Sequence, residues 1–161
     1  MAEDAPKKLS LIAFSGDFDK AVAAFTMASG AAAVNYEVHV FFTFWGLNII
    51  KATKGRAFQG RGALAGAFNF LAGGPKNLPM TRLNMMGAAP RLMTRLTRKR
   101  RVATLTELFE ASKALKVRFW ACEMSMNILG LTKDDFISEV QDVIGVPKFL
   151  ELSRGGETLF I

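Results

Sequence analysis

The chain has 161 residues, half of them apolar, with 14 Phe, 8 Met, one Cys, one His and a formal net charge of +7. That length suits one domain with a proper core. One cysteine excludes an internal disulfide and a Cys-x-x-Cys redox pair, and one histidine leaves no zinc site of the ordinary Cys/His kind.

Residues 1–8 carry acids and lack the apolar region of a signal peptide, so they read as a flexible tail ahead of a single domain over 9–161. Leu9 to Phe14 is a strand. Ser15-Gly16-Asp17 leads into an alanine-rich helix to about Ala33, with Asp17 suited to its N-cap and Asp19 to its first turn. Two carboxylates at that turn disfavour a flavin or nucleotide, and no glycine-rich fingerprint occurs elsewhere, so no cofactor is expected. Glu37 to Thr43 is apolar enough for a strand buried on both faces. It ends in Phe44-Trp45-Gly46, on the carboxyl edge of a parallel sheet, where packing and ligand contact are both open to the aromatics. Mid-strand His39 is expected to be structural, away from that edge.

Glycines and prolines break the pattern in an irregular insertion at about 51–80. Its one apolar piece, Ala63 to Ala72, is too short for a bilayer, since a span needs roughly 18 apolar residues. Capping a neighbouring subunit is favoured over a lid or a membrane surface. Asn84-Met85-Met86-Gly87 precedes a helix from Ala88 to about Lys99, with Leu92, Met93 and Leu96 on one face. Arg91, Arg95, Arg98 and Arg101 make its other side basic. Thr104-Leu-Thr-Glu107 is a capping box opening a helix to Leu115, whose buried face is Leu105, Leu108, Phe109 and Leu115.

Val117 to Ala121 is a β-branched and aromatic strand that runs into the only cysteine, Cys122. A helical turn follows and closes at Gly130. Thr132, Asp134 and Asp135 open a short turn, and Phe136 to Val143 is expected to supply a strand. Pro147 fits the first turn of a helix to about Arg154, and Thr158 to Ile161 is a final strand. Strands and helices alternate throughout, so the expected fold is α/β: a doubly wound, mostly parallel sheet of about five strands, flavodoxin-like.

A cysteine between a parallel strand's end and a helix start lies in the crevice where open α/β sheets bind ligands. Unpaired N–H groups from about Met124 and Ser125 would favour its thiolate there. Glu123 would oppose this unless it turns outward. The alternative is a small buried hydrophobe. Cys122-Glu-Met-Ser-Met-Asn-Ile-Leu-Gly130 resembles the cysteine motif of the DsrE/DsrF/DsrH-like family of small sulfur-trafficking proteins. Ser15-Gly-Asp-Phe-Asp-Lys-Ala21, Phe41-Phe-Thr-Phe-Trp-Gly-Leu-Asn48 and Asn84-Met-Met-Gly87 match in the same order, from residue 9 onward.

The resemblance implies a sulfurtransferase or sulfur carrier working without cofactor or metal, with sulfane sulfur or thiosulfate as substrate. Cys122 would hold sulfur as a persulfide or thiosulfonate. Met124, Ser125, Phe44, Trp45, Gly46 and Asn84 would surround it. With no second cysteine, sulfur must come from and go to partner proteins, of small sulfur-carrier or rhodanese-like type. Arg95, Arg98 and Arg101 would steer anionic donors or an acidic carrier toward the crevice. The other reading is a non-catalytic, oligomeric interaction module in which Cys122 only packs. Abundant Phe and Met point to a homo-oligomer. Nucleic-acid binding is not expected, because the basic run is short and lacks interleaved aromatics. Membrane association ranks low, and the lone thiol suits a reducing cytoplasm.

Overall fold

The computed structural model describes residues 7–82 and 84–161; most of the N-terminal tail therefore lies outside the described residues. Five strands form one parallel sheet: β1 (Lys8–Ala13), β2 (Glu37–Phe42), β3 (Arg118–Cys122), β4 (Val140–Ile144) and β5 (Glu157–Phe160). Their order is β4-β3-β2-β1-β5. The doubly wound sheet expected from the alternation is present. Flavodoxin itself runs 2-1-3-4-5, so the likeness is one of architecture. The first three connections step toward one edge, and the last returns to the other edge beside β1. Because such crossovers are right-handed, that reversal puts the final helix on the opposite face.

Among the described residues, six α-helices accompany the strands: α1 (Phe18–Ala33), α2 (Ala63–Ala72), α3 (Ala88–Lys99), α4 (Leu105–Ala114), α5 (Glu123–Ile128) and α6 (Val146–Ser153). One sheet face carries the main core. Leu11, Val40, Phe119 and Val140 stand in register across four strands, and Phe25 of α1 and Phe109 of α4 pack on them. Phe25 meets Phe109 edge-on, with centroids 5.2 Å apart. Each phenylalanine buried this way contributes on the order of 2 kcal/mol. The other face carries a smaller cluster, Phe41, Cys122, Ile144 and Phe149, under α6.

Several local signals act as the sequence suggests. Thr104 and Glu107 form a reciprocal capping box at the start of α4. Asp17 is the N-cap of α1, but its carboxylate accepts from the hydroxyls of Ser15 and Thr81 and caps no helix amide. His39 is structural: it is fully buried, accepts from Trp120 Nε1 at 3.0 Å and faces Glu37 at 3.2 Å. Burial draws its pKa below the ordinary histidine value, against the opposing pull of Glu37.

Two expectations differ, and α3 adds an observation about its apolar face. The fourth strand starts at Val140, because Thr132 and Asp135 cap a 3-10 turn and Phe136 pairs with Lys51. Leu115 is 42% exposed, since the helix ends before it and turns it away from the core. Leu92, Met93 and Leu96 do share one face of α3, as the spacing predicts, and that face is exposed, with only Ala89 of the helix buried.

The insertion is tied to the domain by a buried polar knot. Lys51 is 1% exposed and donates to Asn69 Oδ1 at 2.9 Å and to the Gly73 carbonyl at 3.2 Å. Asn69 Nδ2 donates to the carbonyls of Gln59, Ala65 and Leu129. Burial lowers the Lys51 pKa to about 8, with Asp135 opposing. The unfolded lysine titrates near 10.5. Between those values the unfolded chain binds more proton, so this site gains stability as pH rises and carries its full burden below about pH 8. In urea unfolding, Lys51→Met should therefore gain on wild type at pH 7 by about 3 kcal/mol relative to its standing at pH 10.5, at about 1.4 kcal/mol per pKa unit. A difference between the two proteins that stays constant with pH would contradict this.

Candidate functional site

The carboxyl edge of the sheet is assembled by close backbone contacts. The Gly46 amide donates to the carbonyls of Phe14 and Thr43, each at 2.9 Å. A Cβ at Gly46 would collide with the Ala13 carbonyl, and one at Gly16 would stand 2.6 Å from the Trp45 carbonyl oxygen. Glycine is therefore needed at both positions to let the β1 and β2 ends meet. Phe44 takes a left-handed φ of 46° to make this turn. Its ring packs 5.3 Å from Phe14, which lies 5.6 Å from Phe160. Trp45, 42% exposed, packs 5.4 Å from Phe68 of α2.

The β2 and β3 ends are joined by a buried hydroxyl pair, Thr43 Oγ1 and Ser125 Oγ at 2.8 Å. Ser125 thus holds α5 against the sheet. Met124 is exposed beside it, Glu123 is turned to solvent, and Gly130 closes α5 with a positive φ of 66°.

Cys122 ends β3 and is the N-cap of α5, the junction the sequence indicates. Its sulfur is placed differently from the expectation. Only 1% of the residue is exposed, and the side chain makes no capping hydrogen bond. Alternation along β3 sends Phe119 and Ala121 into the main core and Cys122 into the opposite cluster with Phe41, Ile144 and Phe149. Phe41 and Phe149 stack above it with centroids 4.6 Å apart.

Phe44, Trp45 and Gly46 share this edge with Met124 and Ser125, through the Thr43–Ser125 pair. Asn84 sits elsewhere. Its side chain accepts from the Met80 amide, and it lines a cavity with residues of the insertion and α3, none from β3 or α5. Arg95, Arg98 and Arg101 are exposed on or just after α3. The sequence did not reveal the Lys51–Asn69 knot, which reaches the Leu129 carbonyl just behind α5. Among the described residues, no three His, Cys, Asp or Glu side chains are grouped to hold a metal ion. No described helix is long and apolar enough to cross a membrane.

A parallel α/β domain with one cysteine at a strand–helix junction is thus the class that fold and site define. The sequence profile of the DsrE/DsrF/DrsH-like family matches residues 5–160, and the chain belongs to that family. Uncharacterized protein YrkE of Bacillus subtilis (strain 168) is 33% identical over 157 residues, 96% of this chain and 97% of its own length. Sulfur carrier protein DsrE2 of Allochromatium vinosum is 33% identical over 150 residues, 91% of this chain and 92% of its own length. The crystal structure of the ychN protein from E. coli shares the fold, with a TM-score of 0.50 at 10% identity over 96% of this chain and 97% of that one.

The buried hydroxyl pair is open to a direct check. Ser125→Ala leaves Thr43 without its partner and should cost about 1–2 kcal/mol in urea unfolding. Adding Thr43→Val should cost less than the sum of the two single changes, because the orphaned hydroxyl goes with it. Strict additivity would show that the pair does not hold α5.

Proposed function

We propose that this chain is a sulfur-relay protein in which Cys122 is the carrier atom's anchor. The observation behind this is the sole cysteine at the β3–α5 junction, in a chain similar to a sulfur carrier protein along nearly its whole length. The Cys122 thiolate attacks the outer sulfur of a donor persulfide. The donor S–S bond breaks, the donor leaves as a thiolate, and Cys122 becomes a persulfide. An acceptor thiolate then takes that outer sulfur and restores the Cys122 thiolate, so no external oxidant or reductant is consumed. The exchange needs neither metal nor cofactor. Donor and acceptor are proteins of small sulfur-carrier or rhodanese-like type, and the working form is a homo-oligomer, favoured by exposed apolar residues such as Trp45 and Phe160.

A cysteine that is only 1% exposed cannot meet a donor. Loading therefore requires local opening of α6, beginning with Phe149. This helix has only eight residues and leaves Val146 and Leu150 in solvent, so it is a low-stability element of the fold. Burial also favours a second reading, an interaction module in which Cys122 only packs.

Loading kinetics separate the two. With polysulfide as donor, Cys122 should gain a sulfur, seen by intact mass, faster than the protein unfolds globally. Phe149→Ala should load at least about tenfold faster, because truncating a buried phenylalanine costs about 3–5 kcal/mol and lowers the opening free energy. Loading only at the global unfolding rate, unchanged by Phe149→Ala where the fold survives, would assign Cys122 to packing.

A further inference from the structure

Charge is segregated along this chain. Residues 38–106 hold 12 of its 21 Lys and Arg and none of its 14 Asp and Glu. That stretch includes the insertion and α3, and it also carries strongly exposed apolar side chains. Phe58, Leu64 and Leu71 are each more than 70% exposed, and Met86 is wholly so. Leu92, Met93 and Leu96 form a stripe along α3, each between 38% and 53% exposed.

Where α3 meets the insertion there is a cavity of about 330 Å³. Arg56, Lys76 and Arg91 line it, with Asn77 and Asn84 adding amides, and among the described residues no carboxylate lines it. Three cations around one polar hollow suit a phosphate group. At its mouth Met85 and Met86 are held in the left-handed region, with φ of 44° and 55°, a conformation unfavourable for side-chain-bearing residues. None of the residues lining this cavity belongs to β3 or α5.

We propose that this face docks on a bilayer containing anionic phospholipid. A lipid phosphate enters the Arg56–Lys76–Arg91 cavity, while Met85, Met86 and the α3 stripe enter the headgroup–acyl boundary. A basic helix with one apolar side binds membranes by those two contributions together. The competing occupant, a second copy using the same face, is opposed by charge. Two surfaces rich in cations repel when apposed, even with Asp17 and Asp19 nearby at Thr81, whereas an anionic bilayer satisfies both the cations and the apolar residues.

Vesicle flotation at moderate salt tests the proposal. The full chain should float with vesicles of phosphatidylcholine containing a third phosphatidylglycerol, and stay at the bottom with phosphatidylcholine alone. Flotation should weaken at least tenfold in the triple variant Arg56→Gln, Lys76→Gln, Arg91→Gln, and likewise in Leu92→Gln with Leu96→Gln. All these positions are exposed or at a cavity wall, and circular dichroism and Cys122 loading should match wild type in both variants. No flotation with anionic vesicles would overturn the proposal, as would flotation that both variants retain. If the leucine variant instead halves the mass seen by light scattering and leaves vesicle binding intact, the face belongs to a second copy and the proposal fails.

Discussion

Side-chain alternation along β3 is the constraint from which the site follows. Successive residues of a strand point to opposite faces. Phe119 is anchored between Phe25 and Phe109, so its neighbour Trp120 and the later Cys122 must face α6. A shift of β3 by one residue would send Cys122 into the main core and Phe119 out of it, an exchange that loses a fully buried ring. The register that builds the core therefore also decides which helix covers the sulfur. For the proposed relay, opening of α6 is then a requirement set by the packing of the opposite face.

The carboxyl edge is kept closed by a few short-range contacts whose partners are distant in sequence. Gly46 against Ala13 and Thr43 against Ser125 link the ends of β1, β2 and β3 in turn. Behind them, Asn69 binds the Leu129 carbonyl and the Lys51 ammonium together. The insertion is thus fastened to the far end of the cysteine helix at a real electrostatic cost. Buried ammonium groups are costly, and here two acceptors take two of the three hydrogens and offset part of that cost. Such a knot specifies one seating of the insertion, because any other leaves the charge unpaired.

Much of the fold was legible in the sequence because its signals are local. The helix over Ala88–Lys99, the Thr104–Glu107 box and the Pro147 start depend on residues within a turn of one another. The cysteine junction was legible for the same reason. What the sequence did not disclose needs the third dimension. Whether Cys122 faces α4 or α6 depends on strand parity relative to Phe119 and on the crossover after β4. Asn84 reads as a neighbour of the cysteine by motif order, yet the insertion carries it to a cavity with Arg56 and Arg91. The Leu92–Leu96 stripe has the period of a buried face, and period alone cannot tell a core from a surface awaiting a partner. Lys51 looks like an ordinary basic residue at the head of a loop, and only Asn69, 18 positions later, makes it a buried one.

Relay through Cys122 is tested most directly by following one sulfur atom through a turnover. Wild-type protein is loaded with radiolabelled sulfane sulfur, freed of donor, and mixed with a thiol-bearing acceptor protein of small sulfur-carrier type. The label should leave Cys122 and appear on the acceptor thiol as the Cys122 thiol returns, and Cys122→Ser should carry no label at any stage. Equal labelling of Cys122→Ser, or label that stays on wild type whatever acceptor is offered, would contradict a relay through this cysteine.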